Sequence, residues 1–368
     1  MRPRTPIGTG ATPPGDSRAC WNAAIPTPPR TSRTTRSARK VTSVDVARHA
    51  GVSQSTVSLV LSGKATGRVS PATADAVRDA ARELGYRPNA AARALRSGTT
   101  QAIGLVVSDV THPFFGPTLR GAQRAAYAAG HVVVLIDDDY GAASGDSTVE
   151  RLREGAVDGF VFFAADPPPS LRRPGAPPIV LVEAERPRMS SVRLDVEAGT
   201  DLLIDHLTEL GHRRIGYVRS AVAGQTFARR HERWAQRLQA LGEDPADQVV
   251  VSAHFDAEAA IAAGEALLDR LDRLTAVVCD DDFLASGVLA AAARRGVDVP
   301  RELSVCGFDD VAISRLVTPP LTTIRFDAGD LGAAAFELLL ARLQGRRAPN
   351  RVLPCELRVR ESTGPARG

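Results

Sequence analysis

No apolar run in the 368-residue chain approaches the roughly 20 residues that a membrane-spanning helix needs. The N-terminus, MRPRTPIGTGATPPGD, has two arginines and no apolar stretch behind them, so it does not read as a secretory signal. The four cysteines, Cys20, Cys279, Cys306 and Cys355, are far apart and form no CxxC pair. That argues against a disulfide framework and a structural zinc site, and suits a reducing cytosol. No GxGxxG follows the first strand pattern and no GxxxxGK[ST] occurs, which disfavours dinucleotide and nucleotide enzymes. No serine sits in a GxSxG turn. Asp280–Asp282 lacks the third-carboxylate spacing of a calcium loop, and His206 and His212 read as helix-end or surface residues. The expectation is therefore a non-enzyme with no catalytic residues, no cofactor and no metal.

What is present is an uneven distribution of charge. The chain carries 46 Lys and Arg against 42 Asp and Glu, a net +4. Residues 1–100 hold +11 of it and the remaining 268 residues sum to −7. A basic head on an acidic body suits a polyanion-binding module joined to a sensing module.

Residues 1–40 are rich in Pro, Thr, Arg and Ser, with almost no apolar periodicity. They read as a disordered basic tail, or as the product of a start assigned upstream of a true beginning near Val41. From 41 to 85 the spacing turns helical. In VDVARHAGVSQSTVSLVLSG, Ala47 is small where two helices would touch. Gly51 stands at a tight turn, where a positive φ costs it little. Val46, Ala50, Val52, Val57 and Val60 supply apolar positions, and Ser53 can cap the second helix. Ser70-Pro71 opens a third helix, which Gly85 ends. This is helix-turn-helix logic. The start of the second helix would then meet base edges. Gln54 can read adenine, Ser55 can donate or accept, and Thr56 and Ser58 can reach phosphates.

Beyond residue 101 apolar runs alternate with helical patterns. Strands are expected at Ala102–Val107, Val132–Ile136, Gly159–Phe163, Ile179–Val182, Ile215–Val218, Val249–Val251, Ala276–Cys279 and Ser304–Phe308. Helices are expected at 119–129, 199–210, 229–241, 257–268 and 283–294. This alternation implies an α/β body of doubly wound parallel sheets with helices on both faces. The Pro-rich stretch 167–178 reads as a loop. Ligands bind such folds at the C-terminal ends of strands. Asp109 and His112-Pro113-Phe114-Phe115 follow the first strand, Asp281 and Asp282 a later one, and Asp309 and Asp310 end SVCGFDD. Phe114, Phe115, Trp234 and Phe255 are candidate walls. Carboxylates and a guanidinium over aromatic faces suit a polyhydroxy ligand. Asp282 and Asp310 read as caps or turn residues, and Asp195 suits either role.

Taken together, VTSVDVARHAGVSQSTVSLVLSG, VSPATADAVRDAARELGYRPNAAARALRSG and the later VDGFVFF, HLTELGHRRIGYV, DDFLASG, VPRELSVCGFDD, PPLTTIRF and ELRVREST resemble the LacI/GalR family of transcription regulators. The resemblance runs from Val41 to about Thr363. It implies an all-α helix-turn-helix head at 41–85, a hinge helix at 86–98 and a two-lobed body at 99–368 like the periplasmic binding proteins. It implies a cytoplasmic homodimer on a pseudo-palindromic DNA operator, most often a repressor, controlled by a small polar effector such as a sugar. Tyr86-Arg87-Pro88-Asn89 would open the hinge. Leu95 matches the family's minor-groove wedge, with Asn89, Ala92, Arg93 and Arg96 beside it on the DNA. Arg230 and Asp309 match the pair that grips the effector, and Asp281 stands where asparagine is frequent. Asp109, Phe114, Phe115, Asp195, Trp234 and Phe255 complete the expected effector site. One departure is Leu59, where arginine is frequent. Leucine makes no bidentate guanine contact and can at most touch a thymine methyl. No terminal leucine heptad is present, so a dimer is expected rather than a tetramer.

Overall fold

The computed structural model describes residues 41–87, 98–138 and 143–367. The expected tail and most of the expected hinge, with Asn89, Ala92, Arg93, Leu95 and Arg96, lie outside the described residues. The chain divides into two compact units, residues 1–88 and 89–368.

Three short helices make the first unit: α1 (Ser43–His49), α2 (Gln54–Leu61) and α3 (Pro71–Glu83). Each starts on a hydroxyl residue that accepts a backbone N–H: Thr42 from Asp45, Ser53 from Thr56 and Ser70 from Thr73. Thr42 and Asp45 form a reciprocal capping box. Gly51 takes a φ of +65° between α1 and α2. Val46, Ala47, Val57, Val60, Ala74, Val77, Ala80 and Ala81 form the core. Ala50 and Val52 only lean against it, and Val44 points to solvent. Valine and alanine are short, so helices of this length can approach closely enough to bury them.

The second unit holds two six-stranded sheets. In chain order its elements are β1 (Ala102–Val107), α4 (Phe115–Ala128), β2 (Val132–Asp137), α5 (Ala143–Arg153), β3 (Gly159–Phe163), β4 (Ile179–Val182), β5 (Ser190–Leu194), α6 (Val196–Glu209), β6 (Ile215–Ser220), α7 (Gln225–Ala240), β7 (Val250–Ala253), α8 (Ala257–Leu268), β8 (Ala276–Cys279), α9 (Asp282–Arg295), β9 (Ser304–Asp309), β10 (Thr322–Phe326), α10 (Ala328–Leu343), β11 (Arg351–Leu353) and β12 (Cys355–Arg358). The first sheet runs β11-β5-β4-β3-β1-β2 and the second β12-β10-β9-β8-β6-β7. All pairings are parallel except β10 with β12. The wholly parallel expectation is corrected there. A short connection from the other sheet delivers β12 at the edge, where no helical crossover is needed.

The chain passes between the two sheets three times: after β5, after β10 and after β11. Asp195 sits at the first passage. Its N–H donates to Leu353, its side chain caps α6, and its carbonyl accepts the Cys355 thiol. It thereby ties the first passage to the third. At the second passage Asp327 caps α10. The returned helix α10 then packs on α4 through glycines. A Cβ on Gly121 would lie 1.9 Å from the Gly329 carbonyl oxygen, and one on Gly332 would lie 2.0 Å from that of Thr118.

Helix α4 begins at Phe115, four residues ahead of the expected start, although no side chain caps it; Pro117 is tolerated in its first turn, where the missing N–H has no helical partner to lose. The Pro-rich loop contains a 3₁₀ turn, Pro169–Arg172, pinned by the buried Leu171. Among the described residues no helix is long and apolar enough to cross a membrane.

Candidate functional sites in the two units

On α2 the buried residues are Val57 and Val60, with Leu61 leaning on the core. Gln54, Ser55, Ser58 and Leu59 fall on the opposite side of the helix, about 100° per residue apart. Gln54, Ser55 and Ser58 are exposed, and Leu59 is half-buried without joining the core. The Gln54 amide donates to Ser43 Oγ at 2.9 Å, which orients it from α1. Ser53 Oγ lies 2.7 Å from Ser55 Oγ and 2.8 Å from Thr56 Oγ1. Hydroxyls and one amide thus crowd the positive end of α2, a surface that can meet phosphates and base edges.

In the second unit a cavity opens between the two sheets at their C-terminal strand ends. Ser108 follows β1, Ala164 β3, Glu183 β4, Asp281 β8, and Asp309 ends β9. Ala164, Glu183 and Asp309 all have positive φ, +50°, +57° and +101°. Three non-glycine residues held there, at the rim of one cavity, mark a place where stable surroundings impose a costly backbone. Phe114, Phe115, Phe163, Phe227 and Phe255 wall it, and Gln225 and Thr226 reach it from the first turn of α7.

Contacts cross the gap between the sheets, two of them within the cavity and others beside it, where Glu185 meets Gln225 and Arg229. The His112 imidazole donates through Nε2 to Asp281 Oδ2 at 2.7 Å, while its ring edges meet Phe255 and Phe115. Burial works against charging that imidazole. The hydrogen bond and charge of Asp281, helped by Asp309 and Asp109, nevertheless leave its pKa raised. The Thr226 hydroxyl donates to Glu183 Oε2, whose Oε1 accepts the Leu194 N–H at 2.6 Å. Burial outweighs these bonds and pushes the Glu183 carboxyl up.

Arg230 lies at the floor, only 2% exposed. Its Nη1 donates to the Asp280 carbonyl and its Nη2 to Asp309 Oδ1 at 3.2 Å. Its guanidinium carbon stands 4.4 Å from the centre of the Phe308 ring. Its Nε is buried without a partner. Behind it, the Asp280 carboxylate accepts the Tyr217 hydroxyl at 2.7 Å and the Ser220 N–H at 2.6 Å. Burial still raises this carboxyl to about 6.

Of the residues expected around an effector, the structure brings Phe114, Phe115, Arg230, Phe255, Asp281 and Asp309 into one cavity. Three fall elsewhere. Asp109 holds Thr111 in the turn after β1. Asp195 caps α6 at the passage between sheets. Trp234 is buried in the core, stacked 5.2 Å from His231 and beside Tyr217. It sits one helical turn past Arg230, but the cavity ends at the arginine. Asp282 accepts Thr323 Oγ1 and the Val311 N–H, and Asp310 accepts Arg360 and Ser314, so both serve the local framework. Glu183 and Thr226 are additions to the expected site, and His112, expected at the end of the first strand without a role, is a third. Glu183 had a usable signal: a carboxylate directly after the apolar run IVLV, like Asp309 after SVCGF. Thr226 had none. No group of three or more His, Cys, Asp or Glu among the described residues could hold a metal ion.

Residues 42–89 match the model of bacterial regulatory proteins of the lacI family, and residues 204–363 match a periplasmic binding protein-like domain. The HTH-type transcriptional regulator GalR of Escherichia coli is 35% identical over 83% of this chain and 90% of its own length. The HTH-type transcriptional repressor PurR of Photobacterium profundum is 30% identical over 86% of this chain and 97% of its own. Among solved structures, the Lac repressor dimer bound to operator and an anti-inducer superposes with a TM-score of 0.80. It is 26% identical and covers 89% of this chain and all of its own. A complex of the transcriptional regulator CelR with cellobiose gives 0.66 at 29% identity, over 88% of this chain and all of its own.

Proposed function

The chain belongs to the LacI family of bacterial regulatory proteins, and from that premise we propose how its parts divide the work of a ligand-controlled transcription repressor. The protein is a DNA-binding regulator and not an enzyme. Two copies bind a pseudo-palindromic operator in the cytoplasm, each placing α2 in the major groove. Gln54, Ser55, Thr56 and Ser58 meet bases and phosphates there, with Leu59 against a thymine methyl. The segment 86–98 acts as the hinge. Leu95 enters the minor groove, flanked by contacts from Asn89, Ala92, Arg93 and Arg96. A small polar effector, a sugar or sugar derivative, occupies the cavity between the two sheets.

The observation that carries the reading is the cavity itself. It is lined from both sheets and crossed by His112–Asp281 and Thr226–Glu183. A ligand entering it must alter how the two halves meet. It shifts operator affinity only by its preference for one arrangement over the other. The test is operator selection from a random DNA pool, followed by operator affinity with and without candidate sugars. A two-fold symmetric site whose affinity changes with one sugar supports the reading. Selection of no site at all would refute it.

A further inference from the structure

The cavity between the sheets is unevenly supplied with hydrogen-bonding groups. Glu183, Asp281 and Asp309 bring three carboxylates to it, from both sides. Together they can accept about twelve hydrogen bonds. Among the described residues five reach them: two at Glu183, two at Asp281 and one at Asp309. The donors are mostly engaged. Arg230 gives both terminal nitrogens to Asp280 and Asp309, His112 gives Nε2 to Asp281, and Thr226 gives its hydroxyl to Glu183. Only Nε of Arg230 is buried and unpartnered among these side chains.

Charge follows the same pattern. Asp309 is paired with Arg230 and Asp281 with His112, while Glu183 is hydrogen-bonded only by neutral donors and shares the charge of Arg230 with Asp309. Glu183 stands beside the first turn of α7, bonded through the Thr226 hydroxyl, so its charge already faces the positive end of that helix although no side chain caps it. Burial disfavours the charged form of Glu183, and a cation placed beside it would relieve that.

We propose that this cleft selects its effector by charge: it takes a hydroxyl-rich ring that is neutral or carries a protonated amine, and it rejects phosphorylated and acidic sugars. The inference rests on the reading of this cavity as the effector site. A hydroxyl oxygen accepts from Arg230 Nε while its proton goes to a carboxylate, so polyols satisfy both kinds of group at once. The phenylalanine walls take the apolar face of the ring. A phosphate or carboxylate would meet three carboxylates and one buried unpartnered side-chain nitrogen, Arg230 Nε.

The test is calorimetric titration of the full chain at pH 7 with matched sets of hexoses. Each set contains the parent sugar, its 2-amino analogue, its 6-phosphate and its uronic acid. In a set that binds, the amine is expected to be about tenfold tighter than the parent, the order of one added charge-assisted hydrogen bond. The phosphate and the acid are expected to be weaker than the parent by about a hundredfold or more. Glu183→Gln keeps the shape and removes the charge, and should narrow the amine's advantage to about threefold or less. A phosphate or uronate that binds as well as its parent overturns the proposal. The same holds for an amine advantage that survives Glu183→Gln. Should that variant fail to fold, the wild-type panel decides alone. Silence across every set overturns the sugar reading together with this inference, whereas a bound phosphate overturns the charge selection only.

Discussion

The head and the body solve the problem of exposing a working surface in opposite ways. The head puts its polar groups outside: Gln54, Ser55 and Ser58 are exposed, and the core beneath is valine and alanine. The body puts its polar groups inside: Arg230, Asp280, Asp281 and Asp282 are each no more than 2% exposed. A surface row needs only caps and a short turn to present it. A buried constellation needs two sheets, each end of which is held by someone else's chain segment. The lesson is that side-chain changes in the head should act on recognition, while similar changes in the body should act on stability first.

Removing the arginine of the body is the severest test of that contrast. Arg230→Ala leaves Asp309 and the Asp280 carbonyl without their donor and strips the cation from the Phe308 face. A loss of about 3–5 kcal/mol in the body is expected, as for one partner removed from a buried ion pair. Denaturant melts would record it, and sugar binding should vanish as well. A variant of unchanged stability would mean that the guanidinium serves the ligand alone.

Asp280 offers a subtler probe. An aspartate ordinarily ionises near 3.8, and burial raises this one to about 6. Between those values the native state holds a proton that the unfolded chain has released. Its contribution to stability therefore falls as pH rises from about 4 to about 6. The full effect is on the order of 3 kcal/mol. Asp280→Asn removes the titrating group and keeps one of the two acceptor oxygens that Tyr217 and Ser220 share, so it should flatten that part of the stability profile relative to wild type while lowering stability at every pH. Parallel profiles for the two proteins would show that this carboxyl does not titrate there.

In the head, Leu59→Arg should create a preference for guanine in each half-site worth about 1–3 kcal/mol, read by selection from a random pool. Its melting behaviour should stay within about 0.5 kcal/mol of wild type, because Leu59 lies off the core. An unaltered consensus would place residue 59 away from the bases. The smallest effect is expected from Ser53→Ala. It removes the N-cap of α2 and should cost the head about 1 kcal/mol. Affinity should weaken equally on specific and random DNA, and the body's melt should not move. A specificity change without a stability change would give Ser53 a direct contact with bases.

How much of each region could be read beforehand follows from the same contrast. The three capping hydroxyls, Gly51 and Pro71 act on neighbours within four residues, so the string of letters already contains their effect. Eight of the twelve strands described in the body read as apolar runs, β6 and β9 to within two residues, whereas β5, β10, β11 and β12 do not. Strand β5 was not seen, because SSVRL has neither the continuous apolar run nor a clean alternation. Helix α4 was placed late for lack of a cap. Trp234, a candidate wall by its aromatic ring, stands one turn past Arg230, and Tyr217 and His231 claim it for the core.

The sequence by itself determined the class of the protein, the helix-turn-helix and the strands whose ends line the cleft, because periodicity, caps and turn residues are local properties. Only the tertiary structure decided which carboxylates share the cavity. His112 and Asp281 are 169 residues apart, and Glu183 and Thr226 are 43 apart. Their meeting depends on three passages of chain between two sheets and on glycines that let α4 and α10 touch. No local pattern encodes such a meeting, since each partner satisfies its own segment equally well without the other.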